Sequence, residues 1–171
     1  MKKIFCIKKW NIGFIVIALV VLPSTKNFSN KQGVNWITFE QAVQFSQSKP
    51  KKVLIDVYTD WCGWCKRMDK TTYEDPSVVN YINKHFYAVK LNAESSKQIT
   101  YNGKQMTEQN LSGQVFGVSG YPCTVYLDEK LRVLSPVPGY QDVAMFNKIN
   151  RFFAENYHQK MSLDDFFRTV Q

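Results

Sequence analysis

An apolar, strand-like run followed by two closely spaced cysteines is the feature that most constrains this fold. Residues 53–58 read Val-Leu-Ile-Asp-Val-Tyr, and an apolar, β-branched run of this length predicts a strand buried on both faces of its sheet. Cys62 and Cys65 then form a Cys-x-x-Cys pair, and a helix is predicted from this pair to about Lys70. A strand that is covered on both faces and leads into a helix indicates an α/β chain.

The rest of the chain alternates predicted helices and strands without an internal repeat. Further helices are predicted at about 38–48, from 75, at 111–117, at 142–157 and from 162. Further strands are predicted at 86–91, 123–127 and 131–134, the last two as a hairpin. Residues 93–110 are interpreted as an insertion that carries a turn or small hairpin at Asn102-Gly103. Because parallel strands come first and an antiparallel pair later, we expect a central mixed β-sheet flanked by helices.

The N-terminus carries a basic segment followed by a short apolar one. Four lysines precede the nearly continuous apolar run 10–22, and Pro23 ends that run. As a helix the run would span ~20 Å, less than the ~30 Å hydrocarbon core of a bilayer. Residues 1–23 are interpreted as a secretory signal peptide, or as an uncleaved N-terminal membrane anchor because no A-x-A cleavage site follows Leu22. Either one would export the body, so we expect an extracytoplasmic, periplasmic location.

A polar linker at 24–33 separates this leader from a nearly neutral body, 34–171. The chain has 171 residues, 44% of them apolar and 21% charged, which suits one packed domain and excludes collagenous and disordered classes. The formal net charge is +8, but five of the 22 basic residues and none of the acids lie in residues 1–30. The remaining 17 bases and 14 acids nearly cancel, so no nucleic-acid partner is expected.

The cysteines of the body point to redox chemistry rather than to a structural framework. Cys62, Cys65 and Cys123 are an odd number and too few for a disulfide scaffold. A cysteine at a helix start faces unpaired backbone N–H groups that favour the thiolate, and Lys66 adds a nearby positive charge. Cys65, almost one turn further on, can close a disulfide with Cys62. Asp56, within a buried strand, is expected to titrate high and to serve as a proton acceptor for Cys65.

In these residues the chain resembles the thioredoxin superfamily. Asp56 lies six residues before Cys62, where the family keeps a buried acid, and residues 61–66, Trp-Cys-Gly-Trp-Cys-Lys, match the family motif W-C-G-x-C-K. Residues 115–122, which end in Tyr-Pro, match the family segment that ends in a cis-proline, and Gly139 matches a glycine beside the same groove. The resemblance covers roughly residues 34–157 and implies a thioredoxin-like fold.

The resemblance also implies roles for individual residues. Cys62 would attack a substrate disulfide, Cys65 would resolve the mixed disulfide, and Asp56 would accept the proton that Cys65 releases. The cis-proline would oppose the two cysteines and bind the substrate backbone. The expected substrate-binding residues are Trp61, Gly63, Trp64, Tyr121, Pro122 and Gly139, with Lys66 modulating the thiolate.

Four departures from typical thioredoxins indicate the exported thioredoxin-like proteins of bacteria. Trp64 replaces the Pro between the cysteines, and Lys70 stands where thioredoxins have a helix-kinking Pro. Cys123 stands where Thr commonly follows the cis-proline, and the insertion at 93–110 is absent from the minimal fold. Since no His lies between the cysteines, we expect a reductant of protein disulfides that receives electrons from a membrane-spanning relay. We expect no cofactor beyond the redox-active disulfide, no metal, and a monomer that meets the membrane only through an uncleaved leader.

Other interpretations of the same residues are open at this point. Cys62 and Cys65 could be half of a metal site or a structural disulfide. Asp56 could be a structural acid bonded to a lysine or to backbone, Trp61 could pack in the core, and Cys123 is interpreted as a small buried hydrophobe. The domain as a whole could be a redox-inert adaptor or chaperone, a disulfide isomerase, or a disulfide-forming oxidant.

Overall fold

A five-stranded mixed sheet with helices on both faces organises the computed structural model, which describes residues 33–169. The strands are β1 (Trp36–Ile37), β2 (Lys52–Tyr58), β3 (Phe86–Asn92), β4 (Gln98–Tyr101), β5 (Lys104–Thr107), β6 (Cys123–Leu127) and β7 (Val133–Pro138). The helices are α1 (Phe39–Ser48), α2 (Gly63–Thr71), α3 (Pro76–His85), α4 (Glu108–Asn110), α5 (Val143–Ala154) and α6 (Leu163–Thr169). The main sheet has the order β1-β3-β2-β6-β7, and β4 pairs separately with β5. The predicted α/β class with a mixed sheet is confirmed.

Strand β2 is the centre of this sheet, and its two neighbours run in opposite senses. Ile55 of β2 pairs in parallel with Val89 of β3 and antiparallel with Val125 of β6. Val57 pairs with Cys123, the first residue of β6, so the last residues of β2 and the first residues of β6 lie at the same end of the sheet. The residues that follow β2 are therefore close in space to those that precede β6.

Two apolar clusters cover the two faces of the sheet. One contains Leu54 together with Met68 of α2 and the inward residues of α3, α5 and α6. The other contains Val53 and Ile55 together with residues of α1 and of the segment after α4. Because side chains alternate along a strand, Asp56 shares a face with Leu54. Strand β2 thus places one acidic side chain in the core layer that α2 helps to form.

Capping side chains begin two helices where the sequence predicts them. The Thr38 hydroxyl accepts the Gln41 backbone N–H at 3.1 Å, while the Gln41 amide oxygen accepts the Thr38 backbone N–H at 2.9 Å. At α3 the Asp75 carboxylate accepts the Ser77 backbone N–H at 2.8 Å, and Pro76 takes the first helical position. These N–H groups would otherwise lack partners within their helices. The predicted starts of both helices are confirmed.

Residues 93–110 contain the predicted hairpin. Asn102 and Gly103 join β4 to β5 as a two-residue loop, and their φ angles of 49° and 77° are the positive values that a type I′ turn requires. Helix α4 then continues into a wide, π-type helical turn, Leu111–Val115, where a short helix ending at Gly117 is predicted. The insertion is therefore a folded hairpin followed by a helical return to the sheet.

The boundaries of three elements differ from the sequence prediction. Helix α5 ends at Ala154 rather than near Tyr157, because Asn156 adopts a left-handed backbone with φ of 62° and starts a separate helical turn. Strand β7 begins at Val133 rather than at Leu131, whose φ of 63° belongs to the turn, and it ends at Pro138 rather than at Leu134, because pairing with β6 continues through its two prolines. Strand β1 has only two residues, which is too short for alternation in the sequence to reveal.

The two edge strands of the main sheet offer few hydrogen-bonding groups. Strand β1 is two residues long. Strand β7 includes Pro136 and Pro138, which have no backbone N–H to donate. Both prolines are exposed, as expected for prolines on an edge strand.

The leader interpretation at 1–23 and most of the linker at 24–33 fall outside the described residues. Within residues 33–169, no helix combines the length and the apolar character needed to cross a bilayer. The division of the chain into leader, linker and domain therefore stays a prediction.

Replacing Thr38 with Ala should lower the free energy of unfolding by about 1 kcal/mol, because it removes one half of the reciprocal cap on α1. Urea denaturation followed by far-UV circular dichroism measures the change. Thr38→Ser keeps the hydroxyl acceptor and should stay within about 0.5 kcal/mol of the wild type. An Ala variant as stable as the wild type would show that this cap contributes nothing.

Candidate active site

Cys62 and Cys65 form a disulfide at the beginning of α2. Their sulfur atoms lie 2.07 Å apart and their Cα atoms 5.3 Å apart. Cys62 is the N-cap of α2, and its Sγ accepts the Cys65 backbone N–H at 3.0 Å. Both residues are only 4% exposed. The helix N-terminus thus directs an N–H donor and the positive end of its dipole toward the Cys62 sulfur, which favours its thiolate when the disulfide is open.

Asp56 lies in the core and pairs with a lysine from the neighbouring strand. Register places Lys90 of β3 opposite Asp56, and the Lys90 Nζ lies 3.1 Å from the Asp56 Oδ2. The same ammonium group also binds the Asp69 carboxylate of α2. The Asp56 side chain is 3% exposed, whereas that of Asp69 is 42% exposed. Lys90 therefore bridges a buried carboxylate and a half-exposed one.

Burial dominates the electrostatics of Asp56. It raises the pKa of Asp56 to about 6, against the attraction of Lys90, which favours the ionised carboxylate. Burial also acts to lower the pKa of Lys90, but Asp56 and Asp69 outweigh it and hold that pKa above its ordinary value. Asp56 therefore exchanges its proton near neutral pH while Lys90 keeps its charge. A carboxyl group with this pKa is suited to general acid–base work at physiological pH.

Trp61 and Tyr121 form an aromatic pair on one side of the disulfide. Their rings meet edge to face with centroids 5.9 Å apart. The Trp61 Nε1–H donates to the Glu94 carboxylate at 2.9 Å, and Trp61 is 67% exposed. The alternative that Trp61 packs in the core is therefore wrong, because its polar edge and its ring contact hold it at the surface beside Cys62.

Pro122 follows Tyr121 through a cis peptide bond, as the resemblance implies. Its carbonyl oxygen accepts the Gly139 backbone N–H at 2.8 Å. Gly139 has a φ of 87°, a backbone conformation that other residues rarely adopt. Since Cys123 pairs with Val57, the Pro122 segment lies at the end of the sheet where β2 leads to the cysteines.

Trp64 and Tyr140 form a second aromatic pair on the α2 side of the disulfide. Their ring centroids lie 5.4 Å apart, and Trp64 is 55% exposed, as the sequence predicts. The Arg67 guanidinium lies over both rings, 5.2 Å from the Trp64 centroid and 5.5 Å from the Tyr140 centroid. Gly63 leaves open space in front of this pair, since an added Cβ would meet nothing within 4 Å.

Lys66 and Cys123 lie in opposite environments. Lys66 is exposed on α2, one residue after the disulfide. Cys123 is free and buried, and burial raises the pKa of its thiol to about 11. A thiol with such a pKa stays protonated at neutral pH and is a poor nucleophile. The burial expected for Cys123 is confirmed, and its chemistry suits a small packing residue.

The histidines pack on aromatic rings at helical segments. His85 stacks on Tyr81 with centroids 4.4 Å apart, and His158 lies 5.7 Å from the Phe153 ring centroid. Within residues 33–169, no group of three or more His, Cys, Asp or Glu side chains is arranged to hold a metal ion. The metal half-site interpretation of the cysteine pair gains no support from these positions.

Five residues at the site are not identified by the sequence analysis. They are Arg67, Asp69, Lys90, Glu94 and Tyr140. Lys90 carries a usable signal, because a charged residue within a predicted buried strand needs a partner, and Asp56 is the available one. The other four come from a polar helix or from loops, where charged and aromatic residues are ordinary, so only the folded chain identifies them.

Replacing Asp56 with Asn should change how stability depends on pH. Because the pKa of Asp56 is raised from an ordinary value of 3.8 to about 6, the folded wild type binds more protons than the unfolded chain between these values. The contribution of Asp56 to wild-type stability should therefore fall as pH rises from about 4 to 7, by an amount on the order of 3 kcal/mol. The Asn variant lacks this loss, so its unfolding free energy relative to the wild type should increase across the same window.

Urea denaturation at pH 4, 5, 6 and 7 tests this expectation. Asp60→Asn is the matched control, since it removes an exposed carboxylate four residues away and should leave the pH dependence in place. A difference between the Asp56→Asn variant and the wild type that stays constant from pH 4 to 7 would contradict a raised pKa at Asp56.

Comparison with known proteins yields a family and a set of bacterial relatives. The sequence profile of the family Thioredox_DsbH, described as "Protein of unknown function, DUF255", matches residues 26–162. The chain is 28% identical over 131 residues to the Thiol:disulfide interchange protein DsbD of Photorhabdus laumondii subsp. laumondii. That match covers 75% of this chain and 21% of the relative, so the chain spans about a fifth of the relative's length.

Solved structures share the fold of this chain. A thioredoxin-fold protein from Helicobacter pylori superposes with a TM-score of 0.59 at 22% identity, covering 70% of this chain and 80% of the other. A DsbH oxidoreductase superposes with a TM-score of 0.57 at 16% identity, covering 72% and 85%. The predicted thioredoxin-like fold is confirmed. The chain therefore belongs to the Thioredox_DsbH family.

Proposed function

We propose that this protein is an extracytoplasmic thiol–disulfide oxidoreductase that reduces protein disulfides through the Cys62–Cys65 couple. The observation that carries the proposal is the position of the couple at the N-terminus of α2, where the Cys62 sulfur accepts the Cys65 backbone N–H. The same end of the sheet holds the cis-Pro122 segment and leads back along β2 to buried Asp56. An adaptor without redox function would not need this combination of cysteine pair, cis-proline and buried acid.

The first chemical step joins the protein to its substrate. The Cys62 thiolate attacks one sulfur of a substrate disulfide, so that a mixed disulfide forms as the substrate S–S bond breaks. The sulfur that leaves takes up a proton from solvent. At this stage Cys65 is still a thiol in the first turn of α2.

The second step releases the substrate. Cys65 gives its proton to Asp56 and attacks the Cys62 sulfur, which breaks the mixed disulfide and closes the Cys62–Cys65 bond. The second substrate sulfur leaves as a thiol after taking up a proton, and two electrons have then passed from the protein to the substrate. Asp56 is ionised above its pKa of about 6 and is then able to accept the proton. Lys90 keeps this carboxylate compatible with burial while it is charged.

The two aromatic pairs border the position that a substrate would occupy. Trp61 pairs with Tyr121 and Trp64 pairs with Tyr140, and Trp61 and Trp64 are the two most exposed tryptophans described. Pro122 and Gly139 follow Tyr121 and precede Tyr140 and are joined by a backbone hydrogen bond, so each pair has one ring beside this bond. In this proposal these residues, with Gly63, contact the substrate, while Lys66 modulates the Cys62 thiolate through its charge.

The direction of electron flow follows from what stabilises the thiolate. Strong disulfide-forming oxidants stabilise theirs heavily, to a pKa of ~3.5 in one case. The residues between these cysteines, Gly63 and Trp64, bring no charge of their own. We therefore assign the reducing direction, with electrons arriving from a membrane-spanning relay. The relatives named Thiol:disulfide interchange protein DsbD are consistent with exchange between proteins as the setting.

Export rests on the leader. Residues 1–23 would act as a signal peptide or as an uncleaved anchor, residues 24–33 as a linker, and the domain from 34 onward would work outside the cytoplasm as a monomer. The proposed activity requires no cofactor or metal, since the disulfide itself carries the electrons.

The first test measures the reduction potential of the Cys62–Cys65 couple and the rate at which the reduced protein reduces a disulfide peptide. Equilibration against dithiothreitol or glutathione should give a value nearer to about −270 mV than to about −120 mV.

Cys62→Ser and Cys65→Ser should each lose turnover, whereas Cys123→Ser should keep it, because the Cys123 thiol is buried and protonated. Undiminished biological activity of a Cys62→Ser, Cys65→Ser double variant would establish an adaptor, and a potential near about −120 mV would reverse the direction.

A second test addresses Asp56 as proton acceptor. In the wild type, resolution of a mixed disulfide should accelerate as pH rises through about 6, because Asp56 must lose its proton before it accepts one. Asp56→Asn should resolve about 10²-fold more slowly at pH 7 and lack this step, at the lower end of the 10²–10⁴-fold range typical of general base catalysis. Quenched-flow measurement of the mixed disulfide from pH 5 to 8 provides the rates. Asp60→Asn should keep the step, and resolution by Asp56→Asn at the wild-type rate would remove Asp56 from the mechanism.

A further inference from the structure

Helix α2 presents a basic stripe that starts at the active site. Lys66, Arg67 and Lys70 follow Gly63 at intervals of three, four and seven residues, which places all four on one face of a helix. All three cations are exposed. A shallow depression of about 350 Å³ runs along this face, lined by Gly63, Lys66, Arg67, Lys70 and Thr71. We call these three cations the α2 stripe.

One cation of the α2 stripe, Arg67, has its position fixed by neighbouring rings. Arg67 lies over the rings of Trp64 and Tyr140, which hold its guanidinium beside the disulfide. The acid of the same helix, Asp69, instead binds Lys90 of β3. Stacking restricts the Arg67 side chain before any partner arrives, so less conformational entropy is lost when a carboxylate binds it.

The side chains around Trp61, next to Cys62 in the chain, are acidic rather than basic. There Glu94 accepts the Trp61 Nε1–H at 2.9 Å, and the Asp60 carboxylate accepts the Asn92 side-chain N–H at 3.3 Å. A chain that passes from Trp61 over Cys62 to the α2 stripe therefore goes from carboxylates to cations. Such a gradient selects for the charge and the direction of what binds.

We propose that the α2 stripe binds acidic residues of the polypeptide whose disulfide is being reduced. The inference rests on the proposed function and names its substrate class as disulfides flanked by Asp or Glu. From Gly63 to Lys70 the helix rises ~10 Å, which matches about three residues of an extended chain. The acidic residues therefore lie within about three residues of the cysteine that Cys62 attacks.

A polypeptide suits this position better than a lipid surface. The stripe begins at Gly63, between the two cysteines, and its depression is continuous with the open space in front of Trp64. An anionic membrane seated on the same residues would cover the disulfide and exclude the substrate. A peptide that carries its own disulfide uses the cations and the sulfur at once.

Two series of three peptides with the same intramolecular disulfide test the proposal. They carry Glu, Gln or Lys at the third position before the cysteines in one series and after them in the other, and kcat/KM for their reduction is measured at about 10 mM and about 500 mM salt. The series with the larger Glu-to-Gln ratio is the one whose charged residue faces the α2 stripe. For the wild type at low salt we expect the Glu peptide of that series to be reduced about tenfold faster than the Gln peptide, or ~1.4 kcal/mol. High salt should shrink this ratio, because screening shortens the range of exposed charges.

Charge reversal on the stripe locates the effect. The double variant Arg67→Glu, Lys70→Glu should bring the Glu-to-Gln ratio of kcat/KM below one and favour the Lys peptide. Lys70→Glu alone changes a cation that does not contact the aromatic rings, and it should lower the ratio by a smaller amount. Lys84→Glu is the matched control: Lys84 is exposed near the end of α3, which leads to the start of β3, at the opposite end of the sheet from the cysteines. Its ratio should equal that of the wild type.

The remaining outcomes overturn the proposal in distinguishable ways. Equal reduction of all three peptides of both series by the wild type, or a ratio that survives in the double variant, would refute the stripe as a recognition surface while leaving the oxidoreductase activity intact. A surviving ratio together with lost binding to phosphatidylglycerol vesicles would make the stripe a lipid-binding surface. Failure to reduce any of the peptides would instead overturn the proposed activity on which the inference rests.

Discussion

A carboxyl group in the middle of a strand buried on both faces imposes conditions on the whole domain. Asp56 becomes tolerable in the core because register places Lys90 on the adjacent strand with its ammonium 3.1 Å away. That pairing requires β2 and β3 to be parallel and aligned, which the crossover through α2 and α3 provides. In the proposed mechanism, the stability cost of this buried acid accompanies a proton acceptor with a pKa of about 6.

The site around the disulfide is assembled from segments far apart in the chain. The cysteines come from the start of α2, Pro122 from the loop before β6, Gly139 and Tyr140 from the end of β7, and Glu94 from the start of the insertion. Each segment is fixed by its own contact: a ring pair, a backbone hydrogen bond or an indole N–H bond. Loops on a rigid sheet can thus place two aromatic ring pairs next to a disulfide without forming a deep cavity.

Much of this architecture is readable from the sequence because local chemistry determines it. The Thr38–Gln41 cap, the Asn102-Gly103 turn and the apolar run of β2 each use residues whose local preferences agree with the final fold. The cysteine pair and Pro122 are recognisable from a motif.

Contacts between residues that are far apart in the sequence cannot be predicted from local patterns. The position of Trp61 at the surface depends on a bond to Glu94, 33 residues away, and no local pattern encodes that approach. The Arg67 position over Trp64 and Tyr140 likewise depends on where β7 ends. The end of α5 before Tyr157 follows from the left-handed backbone at Asn156, a conformation that Asn adopts more readily than most residues but that its identity alone does not require.

The brevity of β1 and the prolines of β7 bear on how this domain behaves among unfolded chains. A protein that handles other polypeptides meets many unpaired strands, and an open sheet edge would template their addition. Here one edge stops after two residues and the other lacks N–H donors at Pro136 and Pro138. Under the proposed function, extended clients are thereby kept from joining the sheet, which limits co-aggregation and leaves the segment at Pro122 to hold the backbone of a substrate.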